Sequence, residues 1–224
     1  MTASTTKSQL TGLNQRLSAT KAEMVSQMPE QALKIMGDAA AELAASRVAD
    51  SAVQVGEKAP EFTLMDATGT PYSLAAMCSA GPVVVSFFRG GWCPFCGMEM
   101  RTLSERRGDM ETLGATVVAI SLQVPSASAA TEADFSPGFP LLVDEGAKVI
   151  KQYGLGFMVN PDLNQLYKGF GIDLNAANGY LSHYLPIPAT YVIGRDGMVV
   201  AAHVNVDYTT RMEPEAILEA LRTC

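Results

Sequence analysis

The stretch PVVVSFFRGGWCPFC, residues 82–96, joins two kinds of sequence. Its first part, Pro82 to Phe88, is a continuous apolar and β-branched run, the pattern of a strand covered on both faces at the centre of a sheet. After Gly90-Gly91 the pattern becomes helical, starting near Pro94 and running to about Arg107, with Met98, Arg101 and Leu103 along it. Proline suits a first helical turn, because its missing N–H would have no partner there anyway. Cys93 therefore falls where a buried strand hands over to a helix, and Cys96 follows three residues on.

The rest of the chain extends this unit. A second buried strand, ATVVAISLQ (residues 115–123), follows the helix, so strand, helix and strand form a βαβ unit with a parallel pair. FPLLVDE (139–145) predicts a further strand, and a helix through Val149, Ile150 and Tyr153 is stopped by Gly154. In the insert from Leu155 to Leu185, Asn160 and Pro161 read as an N-cap and first helical turn, and Leu163, Leu166, Tyr167 and Phe170 mark one helix face. In ATYVIGRDGMVVAAHV (189–204) two strands flank Arg195-Asp196-Gly197, a hairpin signal. Glu213-Pro214 opens a last helix with Ile217, Leu218 and Leu221 inward. Upstream, APEFTLMDATGTPYSL (59–74) reads as a hairpin turning at Asp66 to Thr70.

This order predicts an α/β, thioredoxin-like fold: a central mixed sheet flanked by helices, spanning residues 56–224, preceded by an N-terminal helical extension over 1–55. In the extension Leu10, Leu13, Leu17 and Met24 share one helix face, Pro29 interrupts, and a second run follows through Leu33, Met36, Ala40 and Leu43. Two readings stay open: the helix pair packs on the main domain, or it is a dimerisation arm that would make a homodimer.

Composition narrows the function classes. Of 224 residues 48% are hydrophobic and 17% charged, which is a globular balance able to bury a core without disulfide staples. The net charge of −7 and the lack of basic clusters beyond Arg106-Arg107 argue against nucleic acid and against anionic membrane surfaces. The apolar run at 82–88 is far below the ~20 residues of a spanning helix. Met1 to Leu10 lack the layout of a signal peptide, so a cytoplasmic location is expected. Among four cysteines in a reducing compartment, a close pair is catalytic or metal-binding rather than structural.

At the start of a helix a thiolate faces free backbone N–H groups and the positive end of the helix dipole, a placement that lowers a cysteine pKa to roughly 3.5–7.5. Cys93 and Cys96 are therefore the candidate catalytic pair, Cys96 closing a disulfide on a mixed disulfide or sulfenic acid formed at Cys93. Arg89 adds positive charge near the sulfurs, Trp92 forms an apolar rim, and Pro94 sets the first turn. Zinc would need four ligands, and only Cys78, Cys224, His183 and His203 remain to complete a set, so no metal is expected. No glycine-rich cofactor fingerprint is present either, so no cofactor is expected and electrons must come from a partner. Cys78 reads as a buried inert thiol, Cys224 as a free terminal thiol or an intermolecular resolver, and His203 as a structural strand residue. His183 lies in the insert near Pro188 without an assigned role. Tyr167, Phe170, Tyr180 and Tyr184 read as packing of the insert. Glu99 is either a solvated helix carboxylate or a group acting on the Cys96 proton.

APEFTLMDATG, VSFFRGGWCPFCGMEM, LPIPATYVIGRDGMVV and DYTTRMEPEAIL together resemble the peroxiredoxin-like branch of the AhpC/TSA (alkyl hydroperoxide reductase/thiol-specific antioxidant) family, within the thioredoxin superfamily, from Ala59 to Leu221. The resemblance implies a thiol peroxidase that reduces hydroperoxides through the Cys-Pro-Phe-Cys dithiol and is itself re-reduced by a thioredoxin or glutathione-type partner. The family's P-x-x-x-T-x-x-C motif, ended at Cys96, places its Pro on Arg89, its Thr on Cys93 and its following Glu on Glu99. Trp92 to Cys96 match instead the W-C-x-x-C of thioredoxins, which implies the alternative of a thioredoxin-type protein disulfide reductase. Thioredoxins also place a cis-proline before a strand facing the dithiol; the equivalent is Pro188, with Thr190 at the start of that strand. The sulfur attacked first stays open between the two registers.

Overall fold

The computed structural model describes residues 12–181 and 183–224, so the expectations for Met1 to Leu10 lie outside the described residues. The described chain begins with α1 (Leu13–Gln27) and α2 (Glu30–Ala45), separated at Met28-Pro29. The hairpin β1 (Thr63–Asp66) and β2 (Pro71–Ser73) follows, then α3 (Leu74–Ala80), β3 (Val83–Phe87), α4 (Pro94–Thr112) and β4 (Thr116–Ser121). Next come α5 (Pro125–Phe135), β5 (Leu141–Val143) and α6 (Lys148–Gln152). The insert contains β6 (Gly156–Met158), α7 (Pro161–Gly169), α8 (Leu174–Asn178) and β7 (Tyr184–Pro186), and β8 (Ala189–Ile193), β9 (Val199–Val204) and α9 (Pro214–Leu221) end the chain.

Seven strands form one mixed sheet in the order β2-β1-β5-β4-β3-β8-β9, with β3, β4 and β5 parallel and the remaining pairs antiparallel. The central strand β3 is buried along its whole length, as expected for an apolar run covered on both sides. Its residues divide by the period-2 rule. Val83, Val85 and Phe87 join the core beneath α3 and α6, with Tyr153 and Tyr191; Val84 and Phe88 join the opposite core with Met100 and Leu103 of α4 and Ile217 and Leu218 of α9. The same rule turns Ser86 of β3 and Thr190 of β8, register partners across the ladder, toward α4.

Differences from the sequence reading have local causes. The structure extends α4 to Thr112, and it adds α3 and α5. α5 (PSASAATEADF) buries Ser128 and Thr131 rather than an apolar stripe, so periodicity does not reveal it. In α7, Asn160 caps as expected, its Oδ1 accepting from Leu163 N at 2.9 Å. Tyr167 is buried and Leu163 and Leu166 are half-buried. Phe170 leaves that face and is 45% exposed, because the helix ends beneath it.

Both readings of the N-terminal helices named a surface for their apolar stripe. Leu13 and Leu17 of α1 are fully buried in the core shared with α4 and α9. The start of α1 is held from the other end of the sequence: Glu213 accepts from the backbone N–H of Leu13 and of Asn14, each at 2.8 Å. A carboxylate there also complements the positive helix terminus. α2 lies against α7 and buries only Ala32. No helix among the described residues is long and apolar enough to cross a membrane.

Candidate active site

Cys93 is the N-cap of α4, with extended backbone, and Pro94 occupies the first helical position. Its own N–H donates to Gly90 O at 3.1 Å, and its carbonyl receives Gly97 N at 3.1 Å, closing the first helical turn. The approach loop needs glycine: Gly90 has φ 148°, and a Cβ there would lie 2.5 Å from Trp92 Nε1. Gly91 N donates to Gln123 Oε1 at 3.2 Å, and Gln123 is in turn held by Thr131. The loop that presents Cys93 is thus pinned from α5, an element the sequence reading did not contain.

Both sulfurs are buried and both cysteines are free thiols. Burial favours the neutral thiol, so a thiolate here needs compensation, and the surroundings supply it. The Cys96 thiol donates to the Cys93 sulfur, and Arg89 and Arg211 add positive potential; together they hold Cys93 down to about 5 despite its burial. Cys96 moves the opposite way: burial and the neighbouring Cys93 sulfur push its pKa up.

Arg211, 1% exposed and placed just before α9, was absent from the sequence-based candidates. Its Nη2 donates to Cys96 Sγ at 3.3 Å, its Nε pairs with Glu99, and its Nη1 donates to the carbonyls of Tyr208 and Thr210 at 2.7 Å each. Glu99 is 2% exposed, which overturns the solvated-carboxylate reading. Its Oε1 accepts from Ser86 at 3.1 Å and Thr190 at 3.0 Å, the two hydroxyls that the sheet register turns toward α4. Thr190 therefore reaches the site through Glu99. Asn14 of α1 clamps Arg211 further, accepting from its N–H at 2.9 Å and donating to its carbonyl at 2.7 Å. A lone arginine in a loop motif, DYTTR, gives no spacing that would link it to a cysteine 115 residues away.

Arg89 sits on the other side of the sulfurs, 3% exposed. Its guanidinium lies 4.8 Å from the Trp92 ring centre, 4.4 Å from Tyr208 and 5.6 Å from Tyr167, and it donates to the Tyr167 hydroxyl. Tyr167 is thus more than packing of the insert. Among the described residues Arg89 forms no ion pair with a carboxylate, and its positive charge acts on Cys93. Around the sulfurs the buried charges are the Arg89 and Arg211 guanidinium groups against the Glu99 carboxylate, which leaves one positive charge for a thiolate to balance.

Other candidates stand apart. The expected cis peptide bond before Pro188 is not found: there are no cis bonds among the described residues. Ile187-Pro188 forms a direct extended link from β7 to β8, held where Ile187 N donates to Leu155 O at 2.7 Å. Pro188 lines a cleft with Arg89. Cys78 lies in the core on the opposite face of the sheet, where burial pushes its thiol up. Cys224 is exposed at the end of α9. His203 is engaged with Thr210 Oγ1 at 3.2 Å, His183 is exposed, and Tyr180 is 77% exposed. Tyr184 stacks under Lys151, whose Nζ lies 5.3 Å from the ring centre.

A charge of this kind is visible by titration. Acidifying the reduced protein is expected to remove its ultraviolet thiolate absorbance with a midpoint near the value of about 5 held by Cys93, against 9.0 for an ordinary thiol. Because the folded value is the lower one, this thiolate stabilises the fold above the ordinary thiol pKa, and the contribution is lost as pH falls through about 5. A midpoint at the ordinary value would remove the basis for a preformed nucleophile.

The profile of the AhpC/TSA family matches residues 55–202. The chain is 31% identical over 163 residues to "Peroxiredoxin Q, chloroplastic" of Sedum lineare, covering 73% of each chain. It is 29% identical over 156 residues to "Thiol-disulfide oxidoreductase ResA" of Halalkalibacterium halodurans, covering 69% of this chain and 71% of that one. The crystal structure of the peroxidoxin BcpB from Mycobacterium tuberculosis superposes with a TM-score of 0.59 at 24% identity, over 76% of this chain and 97% of that one, a likeness of fold.

Proposed function

The chain belongs to the AhpC/TSA family and is a peroxiredoxin-like thiol oxidoreductase, and from that premise we propose that Cys93 attacks a hydroperoxide and Cys96 resolves the product. The observation that carries this reading is the buried charge balance: Arg89 and Arg211 face the sulfurs, while Glu99 neutralises only one of them. The Cys93 thiolate attacks the distal oxygen of the hydroperoxide, the O–O bond breaks, and the remaining alkoxide leaves as alcohol with a proton from the site or solvent. Cys93 becomes a sulfenic acid. The Cys96 sulfur then displaces its hydroxyl as water, its thiol proton leaving with that water, and the Cys93–Cys96 disulfide is the dithiol less the two electrons that have passed to the peroxide oxygens. Two reducing equivalents from a thioredoxin or glutathione-type partner restore the dithiol.

Glu99 and the hydroxyls of Ser86 and Thr190 fix Arg211, and so the Cys96 sulfur, in place. Trp92 and Tyr167, with ring centres 5.5 Å apart, wall the sulfurs on the side of the insert. Pro94 starts the helix whose free N–H groups face Cys93. The reducing partner and a cytoplasmic setting fit a protein that works through free thiols. Disulfide exchange with a protein substrate is a second reading. It is favoured by the uninterrupted Trp92-Cys93-Pro94-Phe95-Cys96 motif and by the likeness to ResA.

Stopped-flow mixing of the fully reduced protein with hydroperoxide, followed by Trp92 fluorescence and a free-thiol count, distinguishes them. Rapid loss of two thiols per peroxide is the expected result. Oxidation no faster than that of a simple dithiol would make disulfide exchange the function.

A further inference from the structure

We propose that Arg89 and the narrow space beside it form a binding site for one small monovalent anion, filled when Cys93 and Cys96 are joined as a disulfide and vacated when Cys93 is a thiolate. The inference needs only that the two thiols interconvert with a disulfide. It therefore goes beyond the hydroperoxide reading and does not depend on it.

The space measures about 40 Å³ and is bounded by α2, by Ile187-Pro188 and by Val206 and Tyr208. Roughly 10–15 Å³ of such space takes one water molecule, so a ligand of about three heavy atoms at most fits. The polar side chains of the lining are Arg89, Tyr167 and Tyr208, and no carboxylate lines it. Met36, Ala39, Ala40 and Leu43 of α2 supply an apolar wall. They lie outside residues 55–202, which the family profile matches, so this wall is an addition that the chain makes to the family's fold.

The donors for an anion are in place. Arg89 is 3% exposed; its Nη2 donates to the Tyr167 hydroxyl, and its Nε has no hydrogen-bond partner among the described residues. A buried donor on a cation is costly to leave without an acceptor. Burial pushes the Tyr208 hydroxyl up to about 12, so it stays protonated at neutral pH and brings a further donor rather than a competing charge.

The redox preference follows from the groups that face Arg89 and Cys93. These are Glu99 and Cys96 of α4, Arg211 before α9, Tyr167 of α7, and Tyr208. Glu99 pairs with Arg211, so in the reduced protein the Cys93 thiolate is the negative charge that acts on Arg89. Oxidation forms the S–S bond, releases the Cys96 proton and passes two electrons to the oxidant. The thiolate charge is gone, and the Arg89 guanidinium stays buried without a counter-charge, which is unfavourable. A small anion restores the balance, and reduction regenerates the thiolate and expels it. The apolar wall favours anions that shed water readily, bromide over fluoride.

Calorimetric titration with sodium bromide at pH 7 tests this, with ionic strength held at about 0.15 M by sodium fluoride. The dithiol form is compared with the disulfide form made by the azo oxidant diamide, whose N=N bond takes up the two electrons and two protons, one from Cys96 and one from solvent. One saturable bromide per chain is expected, bound about ten-fold or more tightly to the disulfide form. By reciprocity, bromide raises the Cys93 thiolate midpoint of the reduced protein. The double variant Cys93→Ser/Cys96→Ser, which has no thiolate, is expected to bind as the disulfide form does. Arg89→Met strands no charge in the disulfide form and is expected to abolish binding. Ala39→Leu fills the space but keeps Arg89 and both cysteines. It is expected to weaken bromide binding about ten-fold or more, with the thiolate midpoint in bromide-free buffer unchanged. No saturable binding to the disulfide form, equal affinity for the two redox forms, or binding that survives Arg89→Met or Ala39→Leu overturns the proposal. Failure to consume hydroperoxide bears on the peroxidase reading alone.

Discussion

Cys93→Ser is expected to abolish hydroperoxide turnover, by about a thousand-fold or more, and Cys96→Ser to leave a single rapid turnover that stops at a sulfenic acid. The asymmetry follows from the site. Cys93 caps α4 and receives the Cys96 proton as a hydrogen bond, so the anion resides there; Cys96 lies one turn deeper, where burial keeps its thiol neutral. Serine in place of Cys96 still donates to Cys93, so the first step survives and only disulfide closure is lost. Stopped-flow kinetics with mass spectrometry of the trapped sulfenic acid reads both effects. The reverse pattern, with Cys96→Ser inert and Cys93→Ser giving the single turnover, would place the nucleophile one helical turn inward and overturn the assignment.

Arg211→Met is expected to cost about 3–5 kcal/mol of stability, because it leaves the Glu99 carboxylate buried without its cation. For a protein of this size that is a fall in melting temperature of roughly 10 °C. Glu99→Gln in the same chain removes the stranded charge, so the double variant is expected to recover more than half of the loss, a coupling that a double-mutant cycle measures. The chemistry should move as well. With one of the two nearby cations gone, the Cys93 thiolate midpoint rises and the peroxide reaction at acidic pH slows. Additive stability losses in the cycle, with an unchanged midpoint, would show that Arg211 and Glu99 do not act as one unit around the sulfurs.

The sequence by itself determined the strand–helix junction. The apolar run Pro82 to Phe88 can only be satisfied inside a sheet, and the break at Gly90-Gly91 before Pro94 leaves Cys93 at a helix start. The hairpins at 59–74 and 189–204 and the last helix were equally legible, because alternation, Asp-Gly turns and Glu-Pro starts are local signals. α5 was not, since Ser and Thr facing inward carry no apolar period.

The site was legible only where it is local in sequence. Cys93, Cys96, Arg89, Trp92 and Pro94 lie within eight residues, and their proximity needs no tertiary knowledge. The placement of Arg211 needed the whole fold. The pairing of β3 with β8 sets Ser86 beside Thr190, their common face directs both hydroxyls to Glu99, and α1 clamps the loop before α9 through Asn14 and Glu213. Pro188 shows the same limit from the other side: its motif led to a cis peptide bond, and there is none among the described residues. Sequence periodicity reports which side chains are apolar and which face they share. The packing of distant elements decides which buried charges meet, and here it sets Arg211 and Glu99 against the sulfurs.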